Sequence, residues 1–259
     1  MNALLLLLLD SRAPAGAHHH SGGMEAAVAT GLVSADPVRG LAGLEDFCRA
    51  KLRTSARVAA AFAAAASRLQ SIDPERAGSP APAQLGAREW ARKSAQQWAR
   101  EWAQQWAELH AEFEARTPSE ATRAASRQLG GGLLRLLRSV LPEADLVTPW
   151  TLCAGAAPHH PLVLGAGVHL AGGTPELAAR AAALAACAGP ASAAVRLLGL
   201  DPFAVQAMLA RLAPGIDECA AFAARCASGA PAALPADGAP ALDLLADYHL
   251  TAEVRLFAS

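Results

Sequence analysis

Helix punctuation is the feature that most constrains what this chain can become. A side chain able to accept a hydrogen bond stands directly before proline at Asp36-Pro37, Thr117-Pro118 and Thr174-Pro175. The acceptor satisfies an orphan backbone N–H at a helix start, and proline in the first helical position has no N–H to leave unpaired. Glu120 and Glu176 follow in the first turns, where a carboxylate suits the helix dipole; Thr117 with Glu120 reads as a capping box. No stretch alternates apolar and polar residues like a half-buried strand. The chain is therefore expected to be all-α. Hydrophobic residues make up 53% of it, and much of that is alanine. Alanine favours helix but buries little area, so the core is expected from Leu, Val, Phe and Trp at helical spacing.

The coarse order of elements follows. A short helix ends at Asp10, and a Pro/Gly turn leads to a helix over Gly23–Val33 with Ser21 as its N-cap. Further helices start at Pro37 and cover Arg57–Leu69, and the Pro-rich Ser71–Ala83 is a loop. In Leu85–Arg116 the residues Trp98, Trp102, Trp106, Leu109 and Phe113 form one aromatic stripe. It is expected to face the core, the other reading being an exposed partner face. The next helix contains Gly130-Gly131-Gly132, each costing roughly 1 kcal/mol relative to alanine. Close helix–helix approach or a bend should compensate. After an irregular Asp145–His160 come short helices over Pro161–Leu170, Thr174 to Cys187, Ser192–Leu198, Pro202–Leu212 and Pro214–Ser228, with Gly189-Pro190 as an interruption. The organisation is a single multi-helix domain over 1–228, a flexible Gly/Pro/Ala linker over 229–240, and a tethered C-terminal amphipathic docking helix over 241–259.

Several function classes are disfavoured. A net charge of -1 supplies no basic field for nucleic acid or an anionic membrane. Leu4–Leu9 is short, follows no Lys or Arg and stops at Asp10, so it is not expected to be a secretion signal. No later uninterrupted apolar run of membrane-spanning length is expected. Cys48, Cys153, Cys187, Cys219 and Cys226 include no CxxC pair and read as reduced thiols of a cytoplasmic protein. There is no Gly-x-Ser-x-Gly elbow, no HExxH helix and no phosphate loop.

The candidate functional residues are histidines and arginines. His18, His19 and His20 beside a Gly-rich turn are weak candidates for a borderline metal. Adjacent residues do not easily aim three rings at one ion, and His159 and His160 are an equally weak second pair, readable also as structural. Together the two groups define an alternative, a helical metal-binding protein or enzyme. Arg196 lies in a strongly apolar helix and needs either a core ion pair or an interface.

Five segments resemble the UreF family of urease accessory proteins, in order. They are Leu8–Val28 with its His-Ser-Gly-Gly-Met-Glu core, Ser126–Leu136, His159–Gly165, Ser192–Leu198, and the closing Arg255-Leu256-Phe257-Ala258-Ser259. The sequence departs from the family at Ala17, where an aromatic is usual, and in its longer Trp-rich helix. The resemblance implies an all-helical, non-enzymatic homodimer that bridges UreD (UreH) and the GTPase UreG for delivery of nickel to the urease apoenzyme. It implies no tightly bound cofactor, nickel being handled transiently by the assembly. It also implies that Arg255, Leu256 and Phe257 dock onto UreD. His20, Ser21, Gly22, Gly23, Glu25 and Arg196 would support the dimer or the UreG-facing surface.

Overall fold

The computed structural model describes residues 3–10, 20–71, 87–142 and 157–250. Among the described residues all regular structure is helical: α1 (Ala3–Leu9), α2 (Met24–Ala29), α3 (Pro37–Arg53), α4 (Ser55–Gln70), α5 (Ala87–Ala115), α6 (Glu120–Val140), α7 (His160–Leu170), α8 (Pro175–Leu198), α9 (Pro202–Cys226), a 3-10 turn (Pro231–Ala233) and α10 (Pro240–Leu250).

Side-chain caps set many of these boundaries. Asp36 accepts from the Arg39 N–H at 2.9 Å, Thr174 from Leu177 at 3.2 Å, and Asp201 from Phe203 and Ala204 at 3.1 and 3.2 Å. Each such cap contributes about 1 kcal/mol. Two expected caps differ. Ser119, not Thr117, starts α6 by accepting from the Thr122 N–H at 3.1 Å, while the Thr117 hydroxyl donates back to the Phe113 carbonyl. Ser21 is fully buried and offers its carbonyl to the Met24 N–H. The cap position of α2 is Gly23, at φ 90°. The helix stops at Ala29, short of the expected Val33.

Helix α4 is the axis. It packs against α7, α8 and α9, with α3 laid across α8 and α9, α6 against α7, and α5 along α4. Alanine contributes much more of the core than expected: Ala60, Ala61, Ala63, Ala64 and Ala66 on α4 are all fully buried. Small residues let the helix backbones approach. A Cβ on Gly165 of α7 would lie 2.1 Å from the Ala63 carbonyl oxygen, so only glycine fits there. Large side chains are fully buried beside these alanines, among them Phe62, Leu137, Leu162 and Met208.

The aromatic stripe faces inward. Trp102, Trp106, Leu109 and Phe113 are buried, and Trp98 packs on the edge of the core. The Trp102 indole N–H donates to the Leu69 carbonyl at 3.2 Å, and the Phe62 and Phe113 rings meet edge-on at 5.2 Å.

Two expected breaks are absent. Pro190 lies inside a continuous α8 and Pro214 inside a continuous α9. The uninterrupted α8 is 24 residues long and apolar enough to cross a membrane by length and composition alone. It sits among α3, α4, α7 and α9 within the bundle. The 229–240 stretch, expected as a flexible linker, is held to α5 by Arg116, which donates to the Ala232 and Leu234 carbonyls at 2.9 and 3.3 Å. Beyond it, α10 lies on α6 and α2.

Candidate functional site

The Gly22-Gly23 turn is built by its neighbours. Both glycines have positive φ, 59° and 90°, a region L side chains rarely adopt. A Cβ on Gly22 would also stand 3.1 Å from the Pro190 ring. The Lys51 ammonium on α3 donates to the Gly22 carbonyl at 3.2 Å and lies 5.7 Å from the centre of the Phe47 ring. Burial holds the Lys51 amine below its usual range. Residues 20–25 are thereby pinned between α3 and α8, with His20 and Ser21 buried and Glu25 partly so.

This turn forms one wall of a cavity of about 330 Å³. Lys51, Phe113, Arg116 and His160 line it together with His20, and Leu242 and Asp243 of α10 cover part of it. Desolvation, with His20 nearby, pushes His160 down to about 4, so its ring is neutral at physiological pH. Burial raises the Asp243 carboxyl, Asp247 raises it further, and Lys51 opposes both. Asp247 fixes α10 in place: the Ser119 hydroxyl donates to its carboxylate at 2.6 Å, and the Ala121 N–H approaches it at 3.4 Å. Leu244 and Tyr248 on α10 are exposed, at 71% and 55%.

Adjacent in sequence, His159 and His160 face different surroundings, so they do not act as one ligand pair. His160 shares the cavity with His20, whereas His159 is fully buried against α5. The His159 ring lies 4.8 Å from that of His110 and 4.7 Å from that of Phe113, centre to centre. Its Nε2 is 3.3 Å from Glu114 Oε1, and Arg127 of α6 ion-pairs with the same carboxylate oxygen. Burial lowers both imidazoles, His159 to about 3, with neighbouring positive charge adding to the effect.

Gly130 makes this arrangement possible. A Cβ there would fall 1.9 Å from the Pro158 carbonyl oxygen, so the first glycine of the triple run admits the segment carrying His159 and His160. Close approach, and not a bend, is what this glycine supplies.

Arg196 is exposed on the last turn of α8, where its charge suits the C-terminal end of the dipole; it is not a core arginine. His18, His19, Arg255, Leu256 and Phe257 lie outside the described residues. Cys48 and Cys187 are buried free thiols facing each other's carbonyls at 3.8 and 4.0 Å. Sequence reasoning missed His110, Glu114 and Lys51. The i, i+4 spacing of His110 and Glu114 was the available signal, obscured by the aromatic stripe beside it.

Comparison with known proteins supplies the remaining finding. The UreF family model matches residues 38–213. Proteins named urease accessory protein UreF are similar over nearly the whole chain. That of Mycobacterium marinum is 38% identical, covering 99% of this chain and 98% of its own. That of Mycolicibacterium vanbaalenii is 39% identical with the same coverage, and that of Mycobacterium tuberculosis is 35% identical, again covering 99% and 98%.

Proposed function

This chain belongs to the UreF family of urease accessory proteins, and from that premise we propose that it is a non-enzymatic scaffold bridging UreD (UreH) and the GTPase UreG during GTP-dependent nickel insertion into urease apoenzyme. One observation carries the reading. The C-terminal helix α10 rests on α6 through a short polar contact at Asp247 while it turns Leu244 and Tyr248 outward. Exposed apolar side chains on a surface helix suit docking into a partner's groove.

In this reading Arg255, Leu256 and Phe257 take part in docking onto UreD. The pinned turn at His20, Ser21, Gly22, Gly23 and Glu25, with exposed Arg196, supports a homodimer or the face toward UreG. Nickel is the cargo of the assembly, no cofactor is held tightly, and the work is cytoplasmic, without nucleic acid or membrane.

Co-purification with UreD and UreG, followed by mass determination, tests the proposal. A complex with two copies of each protein is expected. Deleting 241–259 should leave the helical circular dichroism spectrum and its melting transition in place and abolish UreD capture. Undiminished capture by the truncated chain overturns the role given to the tail.

A further inference from the structure

We propose that His110, Glu114 and His159 form a site for a borderline divalent first-row cation, such as Zn²⁺ or Ni²⁺, at the junction of α5, α6 and α7, in which Arg127 occupies the cation's place until the ion binds. The proposal does not rest on the scaffold reading and stands or falls separately from it.

Among the described residues, one ligand atom from each of the three side chains lies within 4.8 Å of the other two. His110 and Glu114 are one turn apart on α5 and so project from the same face. His159 comes from a separate element, just ahead of α7. The separation of His159 Nε2 and Glu114 Oε1 is 3.3 Å. Two ligands each about 2.1 Å from a tetrahedral ion stand about 3.4 Å apart, so this edge of the site is already at coordination spacing. Only the His110 ring has to close in.

The His110 ring is set up as a ligand. It hydrogen-bonds the Ala157 carbonyl, while its Nε2 is buried and has no hydrogen-bond partner. A carbonyl that takes the N–H of one ring nitrogen leaves the lone pair on the other, which is how metal-binding imidazoles are oriented. A buried ring nitrogen without a partner otherwise costs about 1–3 kcal/mol. Two imidazoles and one carboxylate make a donor set suited to borderline divalent ions and poorly suited to Mg²⁺ or Ca²⁺.

The charges around the site define how it would fill. Arg127 is ion-paired with Glu114, and both side chains are one-third exposed, whereas His159 is inaccessible. An ion therefore enters from the Glu114 side and displaces the guanidinium toward solvent. Arg123, the other nearby cation, is tied to the Thr117 and Pro118 carbonyls, each at 2.7 Å, and stays where it is. Binding is then an exchange of one cation for another, and Arg127 limits the affinity.

The test is isothermal titration of the purified full-length chain with Zn²⁺, Ni²⁺ and Mg²⁺. His18 and His19 are changed to alanine throughout to remove the competing run. One Zn²⁺ or Ni²⁺ per chain and no Mg²⁺ are expected. Glu114→Gln and His110→Gln should each weaken binding at least about tenfold, as loss of a ligand must exceed the 10–100-fold typical of its outer support. Arg127→Gln should do the opposite and tighten binding roughly tenfold, by removing one competing positive charge. Circular dichroism confirms that each variant is folded. Absence of stoichiometric binding overturns the site, as does unchanged affinity in folded Glu114→Gln. If both ligand variants fail to fold, Arg127→Gln decides: affinity unchanged or reduced overturns the exchange.

Discussion

Adjacent glycines of one run have opposite reasons to exist. At Gly130 an added methyl group meets backbone, 1.9 Å from the Pro158 oxygen, and nothing there can yield without moving the start of α7. At Gly131 the nearest atom is the flexible end of Arg135, at 3.9 Å. Gly130→Ala should therefore cost about 2–3 kcal/mol through overpacking. Gly131→Ala should add up to about 1 kcal/mol through helix propensity. Urea unfolding of the two variants checks the pair, and equal effects would remove the packing argument. The sequence showed that the glycines needed compensation but not which one needed it, because the neighbour is a carbonyl far along the chain. The same limit hid the cluster at His159. His110 and Glu114 are legible as an i, i+4 pair, but the ring that meets them comes from 45 residues beyond Glu114.

At the scale of elements, capping chemistry was the most legible feature, and proline the least. Asp36, Thr174 and the aromatic face of α5 are all where their spacing places them. The prolines at 190 and 214 pointed to breaks because each removes a helical N–H and crowds the preceding turn. Packing overrides that cost at Pro190, whose buried ring seats against Gly22. Pro214 is exposed and has no such recompense visible in its surroundings. Pro214→Ala should raise stability by about 1–2 kcal/mol, the restored helix outweighing the unfolded-state entropy that proline removes. Thermal unfolding measures it, and a lower melting temperature would contradict it.

Helix α10 offers a pH test. The Asp243 carboxyl is raised by burial and by Asp247, so the folded form holds its proton more tightly than the unfolded chain does. Its contribution to docking is full below the ordinary carboxylate range and is lost as pH rises through the raised value. Hydrogen-exchange protection of 240–250 should thus increase as pH falls from neutral toward that range. Asp243→Asn should flatten this dependence, and an unaltered profile would rule Asp243 out as its source.

At the scale of the molecule, the all-α class and the family resemblance were legible from end to end. The way the core is made was not. Composition suggested that large apolar side chains must do the work, because an alanine side chain removes little area from water. The bundle instead brings α4, α7 and α8 so close that alanines and glycines suffice at their contacts, with larger residues buried beside them. Periodicity reports which face of a helix is apolar, but not how near its neighbour will come.

That closely packed alanine seam has a calorimetric consequence. Heat capacity rises on unfolding in proportion to the apolar surface newly exposed to water, and alanines expose little. The increment for this chain should fall below the ~12 cal/mol/K per residue at the lower end of ordinary globular proteins. A small increment broadens the temperature dome of the folding free energy. The native bundle would then lose little of its margin on cooling, and differential scanning calorimetry would record a nearly straight dependence of unfolding enthalpy on temperature, with a shallow slope.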